Sequence, residues 1–183
     1  MLKFIIYFIF AIIILIGALN WGSIGVFNVN IIEKLNMPTI ERLIYIIVGI
    51  AGLYMMFKRT YYLPFLGYCA IPPSVFKDYK QDNYDKEIEL KIQDPYVKKV
   101  VYWGAMPDED IQENELKYPK EAYGDYTNYG VSSVNDGIAY LYLQTPTNYK
   151  VKKFGFDKKL QKHFHYRYVY DDGLISEIMT HTF

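Results

Sequence analysis

His163 and His165 stand two residues apart in the run "QKHFHYRYVYDDG", Gln161 to Gly173. Alternate residues of a strand share a face, so the two imidazoles project together, about 7 Å apart along the chain. Two neutral imidazoles so placed can share one metal ion. The same pair can equally line a solvent-facing strand. Phe164, Tyr166, Tyr168 and Tyr170 alternate with them and form the opposite face, which is apolar enough to be the core side. Other chemistry-bearing groups are sparse. The single cysteine, Cys69, has no His or Asp in its segment to activate it and reads as a small apolar filler. Asp108, Glu109 and Asp110 form an acidic triplet that reads as a solvated turn, with cation binding as the alternative. Lys152, Lys153, Lys158, Lys159 and Lys162 form a basic cluster, either a solvated loop or a contact for anionic headgroups. There is no phosphate loop, GxSxG, HExxH or CxxC, so the commoner enzyme classes are excluded by their own signatures and no catalytic residue is assigned.

The elements that must position the histidines are strands. Short alternating runs follow one another from Glu87 onward: 87–93, 97–103, 130–134, 138–145, 163–170 and 174–183. "NDG" (Asn135 to Gly137) and "DDG" are turn signals between them. No helical period interrupts the series, which argues a β-sandwich or barrel. The polar stretch from Met106 to Gly130 reads as a long loop. Seventeen of the 20 tyrosines follow residue 60, and aromatic residues favour strands.

The first sixty residues differ in kind. Phe4 to Leu19 is an uninterrupted apolar run, extended to Phe27 with only Asn20 and Ser23 as polar members. A second run, Leu43 to Phe57, follows a loop carrying three asparagines and Pro38. The first reaches the length of about 20 residues needed to cross a bilayer core, and the second is just long enough with Ile40, Glu41 and Arg42 as its interfacial start. A cleaved signal peptide has a shorter apolar region, so we expect a transmembrane hairpin. Gly17, Ala18, Gly22, Gly25, Gly49, Ala51 and Gly52 are expected to let the two backbones approach closely. Asn20 reads as an interhelical hydrogen-bonding residue, with a functional role as the alternative. Residues 1–60 carry five basic and two acidic groups, residues 61–183 fifteen and eighteen. Lys3, Lys58 and Arg59 at the ends of the hairpin place both termini on the cytoplasmic face. The expected organisation is an anchor over 1–60, a proline-cut juxtamembrane linker over 61–85 and a β domain over 86–183.

Three resemblances carry these expectations further. "IGALNWGSIGVFNVNIIEKL" followed by "ERLIYIIVGIAGLY" resembles a family of short two-helix membrane proteins whose mark is a GALNWG-type stretch; it implies the hairpin and no activity. "NDGIAYLYLQTPTNYKV" followed by "KHFHYRY" is similar to the C-terminal half of intradiol ring-cleaving dioxygenases. That resemblance implies an all-β sandwich of the intradiol-dioxygenase-like (prealbumin-like) kind. It also implies a non-haem ferric iron held by two tyrosines and two histidines. Matched residue by residue, the family's histidine pair falls on His163 and His165 and one tyrosine on Tyr149. The family's Arg-Pro lead-in is replaced by Leu160 to Lys162, and the second tyrosine is left open among Tyr118, Tyr123, Tyr126 and Tyr129. "KVVYWGAMPDE" and "HFHYR" behind a two-helix anchor also resemble membrane-anchored proteins of large DNA viruses.

Two functions are therefore expected from different classes. The leading one is a structural or interaction protein, its β domain held on the cytoplasmic side of a bilayer and contacting protein partners. In a virion it would be a minor capsid protein linking an internal membrane to the capsid. This reading needs no cofactor. The alternative is a membrane-tethered non-haem iron dioxygenase using His163, His165, Tyr149 and one further tyrosine. Zero formal net charge gives no nucleic-acid footprint.

Overall fold

The computed structural model describes residues 2–58, 60, 63–107, 116–153 and 155–183. The chain divides into two compact units, Met1–Pro64 and Phe65–Phe183.

The first unit is a pair of apolar helices, α1 (Leu2–Phe27) and α2 (Pro38–Met56). Both are long and apolar enough to cross a membrane. Proline at the first position of α2 loses no helical hydrogen bond there. The reversal between the helices uses Asn28 and Asn36 in the left-handed region, at φ +53° and +58°, which asparagine tolerates better than most residues. Asn20 proves to serve this reversal rather than to bridge the helices. Its Oδ1 accepts the backbone N–H groups of Ile31 at 2.8 Å and Ile32 at 3.2 Å. The helix contact is also narrower than the run of small residues implied. A side chain at Gly17 would collide with Val48, and Ala51 is buried, but Gly22, Gly25, Gly49 and Gly52 have open space around them. Phe10 and Tyr54 meet edge to face at 5.0 Å.

The second unit is an antiparallel β structure. Its strands are β1 (Cys69–Ala70), β2 (Lys86–Lys91), β3 (Val97–Gly104), β4 (Tyr129–Ser133), β5 (Ile138–Leu143), β6 (Tyr149–Lys153), β7 (Phe156–Leu160), β8 (His163–Tyr170), β9 (Leu174–Ile175) and β10 (Met179–Thr182). The largest sheet runs β1-β9-β8-β3-β4, with β10 also on β8; β2–β5 and β6–β7 form two-stranded sheets. The core is built on the face of β8 that the alternation assigned to it. Phe164 and Tyr170 are buried there with Val100 and Tyr102 of β3 and Ala139, Leu141 and Leu143 of β5, and Tyr166 and Tyr168 pack against them. Cross-strand partners Tyr102–Tyr166 and Gly104–Phe164 keep like faces together. "NDG" makes the expected tight turn, with Asp136 and Gly137 both at positive φ and Asn135 bonded to Ile138 in both directions.

The stretch read as a linker contributes to this unit. Cys69–Ala70 pair with Leu174–Ile175, and Tyr79 bonds Val131 in both directions. The Arg167 guanidinium holds the segment down by donating to the carbonyls of Phe65, Gly67 (3.0 Å) and Ser176 (3.3 Å). Cys69 lies 3.4 Å from the same guanidinium and is exposed, so it fills no core. Two further elements were not legible in the sequence: a five-residue helix, α3 (Pro119–Tyr123), within the polar stretch 106–130, and the β6–β7 hairpin, which replaces the expected basic loop. The acidic triplet Asp108 to Asp110 lies outside the described residues.

Candidate metal centre

The non-core face of β8 is where the histidines project, and it is covered. β3 brings Trp103 beside His165, its register partner, with ring centroids 5.7 Å apart. β6 begins at Tyr149 and α3 ends at Tyr123. These two phenols form a small second core with Ala105 and Ala122, against which Trp103, Val151 and Leu160 pack. His163 is 6% exposed, Tyr149 4% and Tyr123 5%. His163 is thus withdrawn from solvent, while His165 is half-buried.

The polar atoms in this cluster form a directed chain. His163 Nδ1 lies 2.6 Å from the Gln161 carbonyl. A carbonyl only accepts, so Nδ1 carries the proton and Nε2 is the acceptor. Tyr149 Oη lies 2.9 Å from Nε2 and donates to it. Tyr123 Oη lies 3.2 Å from Tyr149 Oη. Since the Tyr149 hydrogen is committed to His163, Tyr123 is the donor. Each member of this buried chain is satisfied, the condition under which a polar network stabilises rather than costs.

His165 completes the group. Its ring lies 4.9 Å from that of His163, nearly perpendicular, and Tyr123 stacks over it at 6.4 Å and 17°. Its Nδ1 lies 2.8 Å from Thr180 Oγ1, which makes Nε2 the nitrogen to offer a metal. Burial, and secondly the neighbouring His163, push its pKa down to about 4, against a smaller opposing contribution from the Met179 backbone. It is neutral at physiological pH, the form that binds metals. Burial raises both phenols above the usual tyrosine range. The hydrogen bond that Tyr123 gives raises it further, while receiving that bond partly offsets the rise at Tyr149. Without a cation both stay protonated.

A buried amide that composition and spacing did not single out ties together backbone segments next to this cluster. Asn128 is fully buried. Its Nδ2 donates to the carbonyls of Ala105 (2.7 Å) and Gln144 (3.0 Å), and its Oδ1 accepts from Gln81 Nε2 and the Gln144 N–H, both at 3.0 Å. It ties the end of β3 to the chain after β5. α3 is then fastened from both sides, by Met106 N–H to Ala122 O and Lys150 N–H to Lys117 O.

The structure brings together His163, His165 and Tyr149, the three residues the resemblance implied, and of the four tyrosines left open it places Tyr123 beside them. Tyr118 turns to the Asp157 carboxylate at 3.0 Å. Tyr126 is 54% exposed, and Tyr129 stacks on Tyr79 at 4.8 Å. Tyr126 also touches the cluster, stacking on Tyr123 at 5.2 Å, but among the described residues it is Tyr123 whose hydroxyl is bonded to Tyr149. Three of these donors, Tyr123 Oη, Tyr149 Oη and His163 Nε2, follow one another at hydrogen-bond separations that are also of the size a shared cation bridges, and His165 joins them through ring contacts alone. Donor atoms about 3 Å apart are what a coordination shell with bonds of about 2 Å requires, and the Tyr149–His163 and Tyr123–Tyr149 separations of 2.9 and 3.2 Å are of that size. No cluster of three His, Cys, Asp or Glu competes with it among the described residues. A sizeable cleft lies elsewhere, lined by Asn83, Asp85, Pro107 and Gln144 and by none of the four residues.

Comparison with known proteins addresses the helical unit. Residues 4–59 match the profile of a domain of unknown function, DUF378. The chain is 46% identical over 41 residues to an uncharacterized protein, RP169, of Rickettsia prowazekii (strain Madrid E). That match covers 21% of this chain and 46% of the relative, so the chain spans about half the length of the relative it matches. No solved structure matches the chain. These likenesses agree with the two-helix reading and bring no activity with them.

Proposed function

We propose that the chain is a membrane-anchored interaction protein. In this reading its β unit is a two-layer sandwich stabilised by a metal centre, with Tyr123, Tyr149, His163 and His165 as the ligands. The observation that carries the centre is the Tyr123–Tyr149–His163 chain, with separations of 3.2 and 2.9 Å, closed beside a His165 ring that burial keeps neutral. Two phenols whose deprotonation is opposed by burial call for a strongly acidic cation. Ferric iron suits such a set better than calcium or magnesium, which prefer carboxylates and water. The helices support a bilayer as the first partner, and the basic residues at their ends support a cytoplasmic β unit. The resemblance to membrane-anchored proteins of large DNA viruses supports a coat or neighbouring membrane protein as the second partner. The test is the full chain purified in detergent and exposed to ferric iron. One bound ion per chain and a visible tyrosinate-to-iron absorption support the reading; a colourless protein that retains no iron after desalting sinks it.

A second reading, an intradiol-type dioxygenase, is favoured by the donor set alone. Bound ferric iron would supply the Lewis acidity that chemistry needs, while the chain's own residues hold and orient it. Oxygen uptake with catechol by the iron-loaded full chain, compared with its Tyr149→Phe variant, separates this reading from the first. An iron-loaded protein inert toward catechols leaves the interaction reading in place.

A further inference from the structure

The β6–β7 hairpin carries a concentrated positive charge. Residues 150–162 hold six lysines and one acid, Asp157, in a chain whose formal net charge is zero. Asp157 is already engaged, by Lys150 at 3.8 Å and by the Tyr118 hydroxyl at 3.0 Å. Lys150 and Lys159 face each other directly across the hairpin, an arrangement that destabilises a strand pair. Lys152, Lys158 and Lys162 are exposed and have no ion-pair partner among the described residues. At the distal end, next to Gly155 at φ +86°, Phe156 is 78% exposed, the largest value among the apolar side chains of the described residues. The hairpin's inner face continues outward from Tyr149–Leu160 through Val151–Lys158 to Lys153–Phe156. An apolar tip therefore projects from a cationic collar.

That pairing fits one surface better than any other. Anionic headgroups neutralise a lysine collar, and the acyl boundary beneath them accepts a single aromatic side chain. A nucleic acid would satisfy the lysines and leave Phe156 in water unless a base stacked on it. We infer that the β6–β7 hairpin is a second, peripheral membrane contact, which docks on anionic phospholipid through its lysines and seats Phe156 at the interface. It needs the membrane anchoring of the proposed function and is independent of the metal centre. Because the hairpin runs from Tyr149 to the residues just before His163, docking its tip would also steady the segment that joins two members of the cluster.

The experiment uses the full chain carrying Phe156→Trp in lipid nanodiscs of phosphatidylcholine, with and without phosphatidylserine; wild type supplies the Trp21 and Trp103 background. Incorporation is verified first, and failure to incorporate overturns the anchoring and this inference with it. The expected result is a blue-shifted emission from the introduced indole, quenched by brominated lipid, in phosphatidylserine discs alone. It should be lost in high salt, because contacts between exposed charges are screened, and lost in Lys152→Glu/Lys158→Glu/Lys162→Glu. Emission that is the same in both discs, or that survives charge reversal, overturns the inference. So does emission that responds to a short oligonucleotide and not to phosphatidylserine.

Discussion

Tyr149 and His163 are fourteen residues apart in sequence, and their hydroxyl and imidazole meet at 2.9 Å. The β6–β7 hairpin makes this meeting, because Tyr149 opens its first strand and Leu160, its register partner, closes the second just before β8 begins. Replacing Tyr149 by Phe keeps the ring that fills the second core. It removes the donor to His163 Nε2 and the acceptor for Tyr123. Leaving a buried group unpaired costs about 1–3 kcal/mol, so the metal-free variant should lose about that much in chemical denaturation of the full chain followed by near-ultraviolet circular dichroism. A variant as stable as wild type would mean that the chain is not closed as described.

Gly130 should not accept a side chain. It stands opposite Tyr102 in the β3–β4 ladder, and a Cβ there would fall within the Tyr102 ring and hydroxyl. Tyr102 is fully buried and accepts the Tyr142 N–H at 3.1 Å, so it has no open direction in which to move. Overpacking of this kind costs about 1–3 kcal/mol. Gly130→Ala should lower the melting temperature of the β unit, whereas Gly155→Ala, strained in φ but surrounded by open space, should cost less. Equal effects would contradict this account of the β3–β4 contact.

Arg167 holds carbonyls of the 65–69 segment with a planar fork that lysine cannot reproduce. Arg167→Lys should loosen that segment while leaving the sheet intact. Chymotryptic cleavage after Phe65, Leu66 or Tyr68 should then rise, by about tenfold for each 1.4 kcal/mol of local stability lost. Timed proteolysis with mass spectrometry reads this. Unchanged cleavage would show that β1–β9 pairing alone retains the segment.

Asp78 gives a pH dependence with a definite sign. Hydrogen bonds from Lys99 (2.7 Å) and then Ser133 (2.6 Å) hold its carboxyl below the ordinary 3.8. A depressed carboxylate stabilises the fold above its unfolded value, and the contribution disappears as pH falls through the folded value. The Asp78 side chain is half exposed, so Asp78→Asn should cost no more than about 1 kcal/mol at neutral pH. The gap between variant and wild type should close below pH 3.8. Melting curves at neutral and acidic pH check this, and a gap that widens on acidification would contradict it.

The two faces of β8 were legible because the period of a strand is two and the tyrosines mark one side without interruption. The helices were legible from length and apolarity. Tyr123 was not, because four tyrosines within twelve residues are chemically alike, and a five-residue helix has too few turns to leave a periodic pattern. What selects Tyr123 is tertiary: Asn128 and the bonds at Met106 and Lys150 fix where α3 ends. The β6–β7 hairpin was hidden for a related reason. Its strands are rich in lysine, which has low strand propensity, and the β8–β3 register against which it settles is visible only in three dimensions. Asn20 misled because an asparagine in an apolar helix has two plausible partners, the facing helix or the reversal beyond its own end. Here the nearby N–H groups of Ile31 and Ile32 won.

Resonance Raman spectroscopy of the ferric-loaded full chain reads most directly whether Tyr123, Tyr149, His163 and His165 together hold one metal ion, as proposed. Tyrosinate modes enhanced by excitation in the visible band are expected. They should weaken in both Tyr123→Phe and Tyr149→Phe and persist in Tyr126→Phe. Iron bound without tyrosinate modes, or modes unchanged in Tyr123→Phe, would contradict that proposal.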